Sequence, residues 1–373
     1  MKRVFPVGIP VNKNNFIGRE KELSNILNLL LDGQSIVLTA PRRYGKTSIM
    51  LHTLNKLSKK KNITCHIDLF SISNKRDLAE KIVQAVLKSE SRNIINFFRF
   101  LKTNITELIK NAEFKAIIDK FEFVLNFNDP KISEDSLLEE ALNFVEKYAK
   151  SKKKQIIFAY DEFSEITKLG GDNLIKLMRS KFQMHENVTY LFLGSHESIM
   201  KRIFLGKASA FFRFARILHI GFIAEKYFSP YIYNQFKSLH ININKQSIKY
   251  ILTKTKGHPY YTQLLCQLIY YEIKGTKIDI TEKIVEKCYA NIINIERPVY
   301  EEIWSNLGTR KYHREILMNI AQDYSPYIIN LPGSSVRRIL IYLEDMGYIS
   351  RDEKNKKYNF IDKFLKDYIA SFI

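Results

Sequence analysis

At 373 residues, with 45% hydrophobic and 13% aromatic content, the chain is long enough for two or three folded domains and has an ordinary globular composition. Its three cysteines, Cys65, Cys266 and Cys288, are far apart and never in CxxC spacing, which argues against a disulfide framework or a cysteine zinc site and for a reducing compartment, by default the cytoplasm. The formal net charge of +20 fits either a polyanionic partner or solvated lysine runs such as those at 59–61 and 152–154.

That charge is uneven. Residues 1–60 carry 11 basic against 3 acidic side chains, 151–220 carry 12 against 6, 221–300 carry 11 against 6, and 301–373 only 11 against 10. The opening MKRVFPVGIPVN has a short apolar stretch broken by Pro6 and Pro10, which does not make a signal peptide, and no apolar run approaches a membrane span. Over residues 15–31, Leu23, Ile26, Leu27, Leu30 and Leu31 recur at helical spacing. Strand signals follow at 35–39, 63–70, 155–160, 188–193 and 217–220, separated by helical patterns. This alternation predicts an α/β three-layer fold, a parallel sheet covered on both faces. Residues 77–150 lack strand signals and read as a helical insertion between the second and third strands.

From 225 to 296 the pattern is helical throughout, a lid. Beyond it, 314–322 and 334–346 read as helices and 347–360 as two short strands around the turn DEKNKK, the order of a winged helix. Arg337 and Arg338 fall near the start of its second helix, where base or phosphate contacts are usually made; winged helices also serve as packing modules. The expected division is a nucleotide-binding domain over 1–221, a lid over 222–304 and a winged helix over 305–373.

Residues 36–50, IVLTAPRRYGKTSIM, read as a buried strand running into a phosphate loop and then a helix. The cradle comprises Ala40, Pro41, Arg42, Arg43, Tyr44, Gly45, Lys46, Thr47 and Ser48. Its backbone amides face phosphates, Lys46 reaches the terminal phosphates and the Thr47 hydroxyl ligates Mg²⁺. Ala40 stands where the pattern has its first glycine, and Pro41 favours an extended backbone there. Residues 156–162, IIFAYDE, form an apolar strand ending in two carboxylates. Asp161 is placed to hold Mg²⁺, directly or through water, and Glu162 to orient and deprotonate the attacking water. Ser195 ends the strand VTYLFLGS as a candidate sensor of the γ-phosphate, with Asn187 and His196 as weaker alternatives. Arg213, just before the last strand, reads either as a surface charge or as an arginine that neutralises the transferred phosphoryl group from the same or a neighbouring subunit.

The succession NFIGRE, PRRYGKTS, FAYDEF, FLGS, FFRFARI, KGHPYYTQ and a winged helix resembles the archaeal-type ATPases of the AAA+ and STAND-related group over nearly the whole chain. The resemblance implies that Phe16, Ile17, Gly18 and Arg19 help enclose the adenine. It makes Arg42 and Arg43 the family's double arginine, and has Gly257, His258 and Pro259 approach the nucleotide from the lid and report its state. The ending NFIDKFLKDYI lacks the proline and tryptophan often seen there. The expected activity is Mg²⁺-dependent ATP binding and hydrolysis, with ATP or ADP as cofactor, DNA, RNA or a protein as partner, and self-association if Arg213 acts in trans. The alternative is a scaffold that holds nucleotide and turns over rarely.

Overall fold

The computed structural model describes residues 4–11, 13–89, 131–352 and 355–372. Five parallel strands form the central sheet: β1 (Ile36–Thr39), β2 (Ile63–Asp68), β3 (Ile156–Asp161), β4 (Val188–Gly194) and β5 (Arg216–His219). They lie in the order β2-β3-β4-β1-β5. β3 and β4 are buried along their whole length, as their unbroken apolar runs require for central strands, while β2 alternates and β5 is only partly covered at the edges. β2 stops at Asp68 rather than running to Phe70, because the Asp68 carboxylate accepts the Phe70 backbone N–H at 3.0 Å and starts a tight turn.

Alternation of side chains along the strands divides the core into two layers. Phe158, Tyr160, Tyr190 and Phe192 point to one face, covered by α3 (Lys75–Lys88) and α4 (Glu134–Lys152). Ile157, Ala159, Leu191 and Leu193 point to the other, covered by α1 (Glu20–Leu31) and α2 (Lys46–Lys59). The helical insertion expected over 77–150 lies partly outside the described residues. Its flanks are α3 and α4, and their fully buried Leu78, Ile82, Leu138 and Leu142 make them part of the sheet's own core. Between β3 and β5 come α5 (Ile166–Leu169), α6 (Gly171–Phe182) and α7 (Glu197–Leu205).

After β5 the chain is helical: α8 (Glu225–Lys237), α9 (Lys245–Thr255), α10 (Pro259–Ile273) and α11 (Glu282–Gly308). Then follow α12 (His313–Ala321), α13 (Gly333–Asp345), an antiparallel hairpin of β6 (Ile349–Arg351) and β7 (Tyr358–Phe360), and α14 (Lys363–Ala370). A single apolar core runs through both groups, joining Phe228, Ile251, Leu265 and Ile292 to Leu317, Leu340 and Phe364. The expected 304/305 division therefore falls inside α11, and Phe5 from the start of the chain is buried in this core rather than against the sheet. The sequence reading does not include α14. Its start is fixed by Asp362, which accepts the Phe364 backbone N–H at 2.9 Å and, on its other oxygen, the hydroxyls of Tyr261 and Tyr300. Among the described residues no helix is long and apolar enough to cross a membrane.

Candidate active site

The carboxyl ends of β2 and β3, the loop that follows β1 and the start of α2 border a cavity of about 670 Å³, a size that suits a nucleotide. Asp161 has the parity of Ile157 and Ala159, so its side chain emerges on the α1/α2 face, where α2 begins. There the Thr47 hydroxyl donates to Asp161 Oδ2 at 2.9 Å. Lys46, only 5% exposed, turns its ammonium back onto the loop and donates to the carbonyls of Ala40 at 2.8 Å and Pro41 at 3.1 Å. Burial pushes the Lys46 ammonium below the usual lysine range, against the pull of Glu162 and Asp161. It also pushes the Asp161 carboxyl upward, against the Thr47 bond.

The loop owes its shape to two left-handed residues, Arg43 at φ 70° and Gly45 at φ 90°. A Cβ on Gly45 would meet nothing within 4 Å, so backbone conformation and not crowding selects glycine there. Ala40, in place of the usual glycine, is accommodated because its methyl is buried in the α1/α2 layer with Ile36 and Leu38.

Glu162 is also left-handed, at φ 48°, uncommon for a residue with a Cβ. Its Oε2 accepts the backbone N–H of Ser195 at 3.0 Å and the Ser195 hydroxyl at 2.7 Å. Ser195 therefore holds the glutamate instead of lining the cavity itself, a correction to its reading as a direct phosphate sensor. Asn187 lies at the opposite end of β4, where its backbone and side-chain amides both donate to Glu146, so it is no sensor. His196 turns away and donates from Nδ1 to the Asp345 carbonyl at the end of α13. Arg213 does not reach the cavity of its own chain, which is the one of its two placements, same subunit or neighbouring subunit, that this geometry addresses. It is exposed and absent from the cavity lining, held at φ 57° by a turn between buried Phe211 and packed Phe214, with its guanidinium over the Phe212 ring.

The motifs at the two ends of the sheet domain meet, but not all at the cavity. A Cβ on Gly18 would stand 2.7 Å from Ile223 Cγ2, and one on Gly257 would stand 2.1 Å from the Ile223 carbonyl oxygen. Both glycines thus let the segment between β5 and the lid pass closely, and neither lines the cavity. Arg19 does line it, yet its buried guanidinium is spent on the Gly221 carbonyl and on Glu22 at 3.2 Å. Pro259 reaches the cavity at the first turn of α10, while His258 caps that helix beneath it and packs against Tyr44 of the phosphate loop, ring centroids 4.7 Å apart.

Several lining residues escaped the sequence reading. Asp68, paired in register with Asp161, also ends a strand at the cavity, but it is a lone carboxylate on an alternating strand and so lacks the paired-carboxylate signal that marks Asp161 and Glu162. Residues 6–11 also line the cavity, bound to α2 where the Val11 N–H donates to Ser48 Oγ at 3.1 Å and to the lid where Gln267 Nε2 donates to the Phe5 carbonyl at 3.0 Å. From the lid come Tyr260 and Gln263. Glu296, on α11, meets Arg43 at 2.8 Å and accepts the Tyr260 hydroxyl at 2.8 Å, with the Arg43 guanidinium 4.2 Å above the Tyr260 ring. Burial works against the Arg43 charge, and the Glu296 carboxylate outweighs it, holding the guanidinium protonated above its ordinary range. Neither Glu296 nor the N-terminal segment carries a local signal in the sequence.

Residues 16–265 match the model of an ATPase domain found predominantly in Archaea. No curated protein sequence matches the chain. Among solved structures, the Walker-type ATPase PABY2304 of Pyrococcus abyssi superposes with a TM-score of 0.70 at 16% identity, over 98% of this chain and 99% of that one. The Aeropyrum pernix ORC2 protein, in its ADPNP–ADP complexes, superposes with a TM-score of 0.56 at 12% identity, over 100% of this chain and 98% of that one. At these identities the likeness is one of fold.

Proposed function

Because the chain belongs to the family of ATPase domains found predominantly in Archaea, and is on that ground an ATP-binding ATP hydrolase, we propose that it works as a Mg²⁺-dependent, nucleotide-gated switch. The observation that carries this is Glu162: the carboxylate beside the Thr47–Asp161 pair is held by two bonds from Ser195, and the next residue, His196, is bonded to the end of α13. The hydroxyl and carboxylate of Thr47 and Asp161 are hard oxygen donors suited to Mg²⁺. A cation beside Asp161 and phosphates beside Lys46 would each oppose the shift that burial imposes there. When bound, the metal would supply charge neutralisation at the phosphates.

The residues of the chain do the rest. Lys46 exchanges the carbonyls of Ala40 and Pro41 for phosphate oxygens. Glu162 accepts a proton from the attacking water once it is released from Ser195, so turnover and the position of Ser195 are one event. Through His196 that event reaches α13, where Ser198 Oγ also donates to the Glu344 carbonyl at 3.2 Å and Arg202 pairs with Asp345 at 3.0 Å. The helices and hairpin from α12 to β7 have the order of a winged helix, with Arg337 and Arg338 exposed on α13. The partner we assign is nucleic acid, on the basic excess in 1–60, 151–220 and 221–300 and these two arginines. Three free, buried cysteines support a reducing, cytoplasmic setting.

The test is ATP hydrolysis with and without DNA and RNA at two salt concentrations. Hydrolysis that Lys46→Ala abolishes, and stimulation by nucleic acid that falls steeply with salt, are expected. Stimulation that ignores salt, or none at all, would replace nucleic acid with a protein partner.

A further inference from the structure

The cavity lining contains four basic side chains among the described residues: Arg19, Arg42, Arg43 and Lys46. Three are engaged. Arg19 is bound to Gly221 and Glu22, Arg43 to Glu296 and Tyr260, and Lys46 to its own loop carbonyls. Arg42 is exposed and makes no side-chain hydrogen bond or ion pair with any described residue. It lies on the loop two residues after Ala40 and four before Lys46, on the wall of the same cavity. The lid offers no cation in its place, since α10 presents Pro259, Tyr260 and Gln263 to the cavity, and Arg213 stands outside it.

We propose that the two adjacent arginines divide their work: Arg43 ties the phosphate loop to the lid, while Arg42 is a catalytic residue that pairs with the terminal phosphate of ATP from within the same chain. This rests on the ATP-hydrolase reading and adds the source of its charge-neutralising arginine. In the reaction the oxygen of water bonds to the γ-phosphorus and its proton passes to Glu162. The bond from phosphorus to the bridging oxygen breaks with its electron pair leaving on ADP. Arg42 transfers nothing; its planar guanidinium offers paired donors to the equatorial oxygens as charge builds there. The engaged arginine cannot do this without surrendering a buried carboxylate, as Glu296 is only 3% exposed.

The experiment measures, in the full chain with Mg²⁺, single-turnover ATP hydrolysis and the affinities for ADP and for a non-hydrolysable ATP analogue. It compares wild type with Arg42→Ala, Arg42→Lys and Arg213→Ala. Arg42→Ala should slow hydrolysis by about 10²- to 10³-fold, somewhat less than arginines supplied in trans by a partner protein. It should bind the ATP analogue about tenfold more weakly while ADP affinity changes by less than about threefold, a split that a merely structural role would not produce. Arg42→Lys, and low millimolar guanidinium added to Arg42→Ala, should each restore part of the rate. Hydrolysis at the wild-type rate in Arg42→Ala, equal losses of ADP and ATP-analogue affinity, or a larger loss in Arg213→Ala would each overturn the assignment. If wild type does not hydrolyse ATP the ATPase reading itself fails, and the ADP-against-analogue contrast still decides whether Arg42 reads the terminal phosphate.

Discussion

At the carboxyl edge of the sheet, Lys46 and Thr47 are neighbours in the chain, as are Asp161 and Glu162, and the two pairs meet because β3 and α2 share one face of the sheet. Across the same cavity, Arg43, Tyr260 and Glu296 meet from the phosphate loop, α10 and α11, three elements far apart in sequence. On the proposed function, the first region carries chemistry that needs particular atoms at particular distances, which short motifs on rigid elements supply. The second joins elements whose apolar cores are separate, through single long-range contacts. Chemistry and coupling should therefore separate by mutation.

The largest effect belongs to the sheet edge. Glu162→Gln keeps an oxygen that accepts from Ser195 but removes the proton acceptor, so turnover should fall by about 10²- to 10⁴-fold while nucleotide affinity stays near wild type. Paired measurements of kcat and of equilibrium binding check it. A variant that loses both would show that the carboxylate shapes the site instead of acting on water.

A smaller and different effect is expected across the cavity. Glu296 is buried but the Arg43 side chain is 37% exposed, so solvent screens the pair and its coupling should be about 2 kcal/mol, below the 3–5 kcal/mol of breaking a fully buried pair. A double-mutant cycle of Arg43→Met and Glu296→Gln, read from urea unfolding, isolates that coupling. Single-turnover hydrolysis at saturating ATP should change far less than in Glu162→Gln. Additive effects on stability, or a collapse of the chemical step, would erase the distinction between the two regions.

The same distinction explains what the sequence discloses. β1, β3 and β4 are legible because central strands of a parallel sheet must be apolar on both faces, and Asp161 and Glu162 because a pair of carboxylates interrupts such a run. Glu296 is not legible: within the 27-residue helix α11 it is one more charged position, and only the tertiary fold brings Arg43 to it. The direction of Arg213 is not legible for a related reason. Its place before β5 suggests the rim of the site, but the aromatic packing of Phe211 and Phe214 sets the turn and sends the charge outward. Ser195 is found at the right strand end, yet which partner its hydroxyl takes depends on the left-handed turn at Glu162, a conformation that apolar periodicity does not report.

The smallest effect concerns another contact between loop and lid, His258 against Tyr44. Burial, with the Arg43 charge added to it, pushes the His258 imidazole down to about 3, from an ordinary value near 6.5. The folded protein thus keeps this ring neutral across a range in which the unfolded chain protonates it. Stability is complete above about pH 6.5 and is lost as pH falls toward the folded value, by about 1.4 kcal/mol per unit, so lowering the pH from 7.5 to 5.5 should cost about 1.4 kcal/mol through this residue alone. His185, also depressed, to about 4, adds its own acid sensitivity, and a comparison between variants cancels it. His258→Asn supplies a side-chain oxygen to accept the Tyr261 N–H at the start of α10 and does not titrate. Urea unfolding at pH 7.5 and 5.5 should therefore show a pH dependence about 1.4 kcal/mol smaller in His258→Asn than in wild type. Equal dependences would mean that α10 lifts from Tyr44 and hydrates the ring before the protein unfolds, making this contact weaker than the Arg43–Glu296 link.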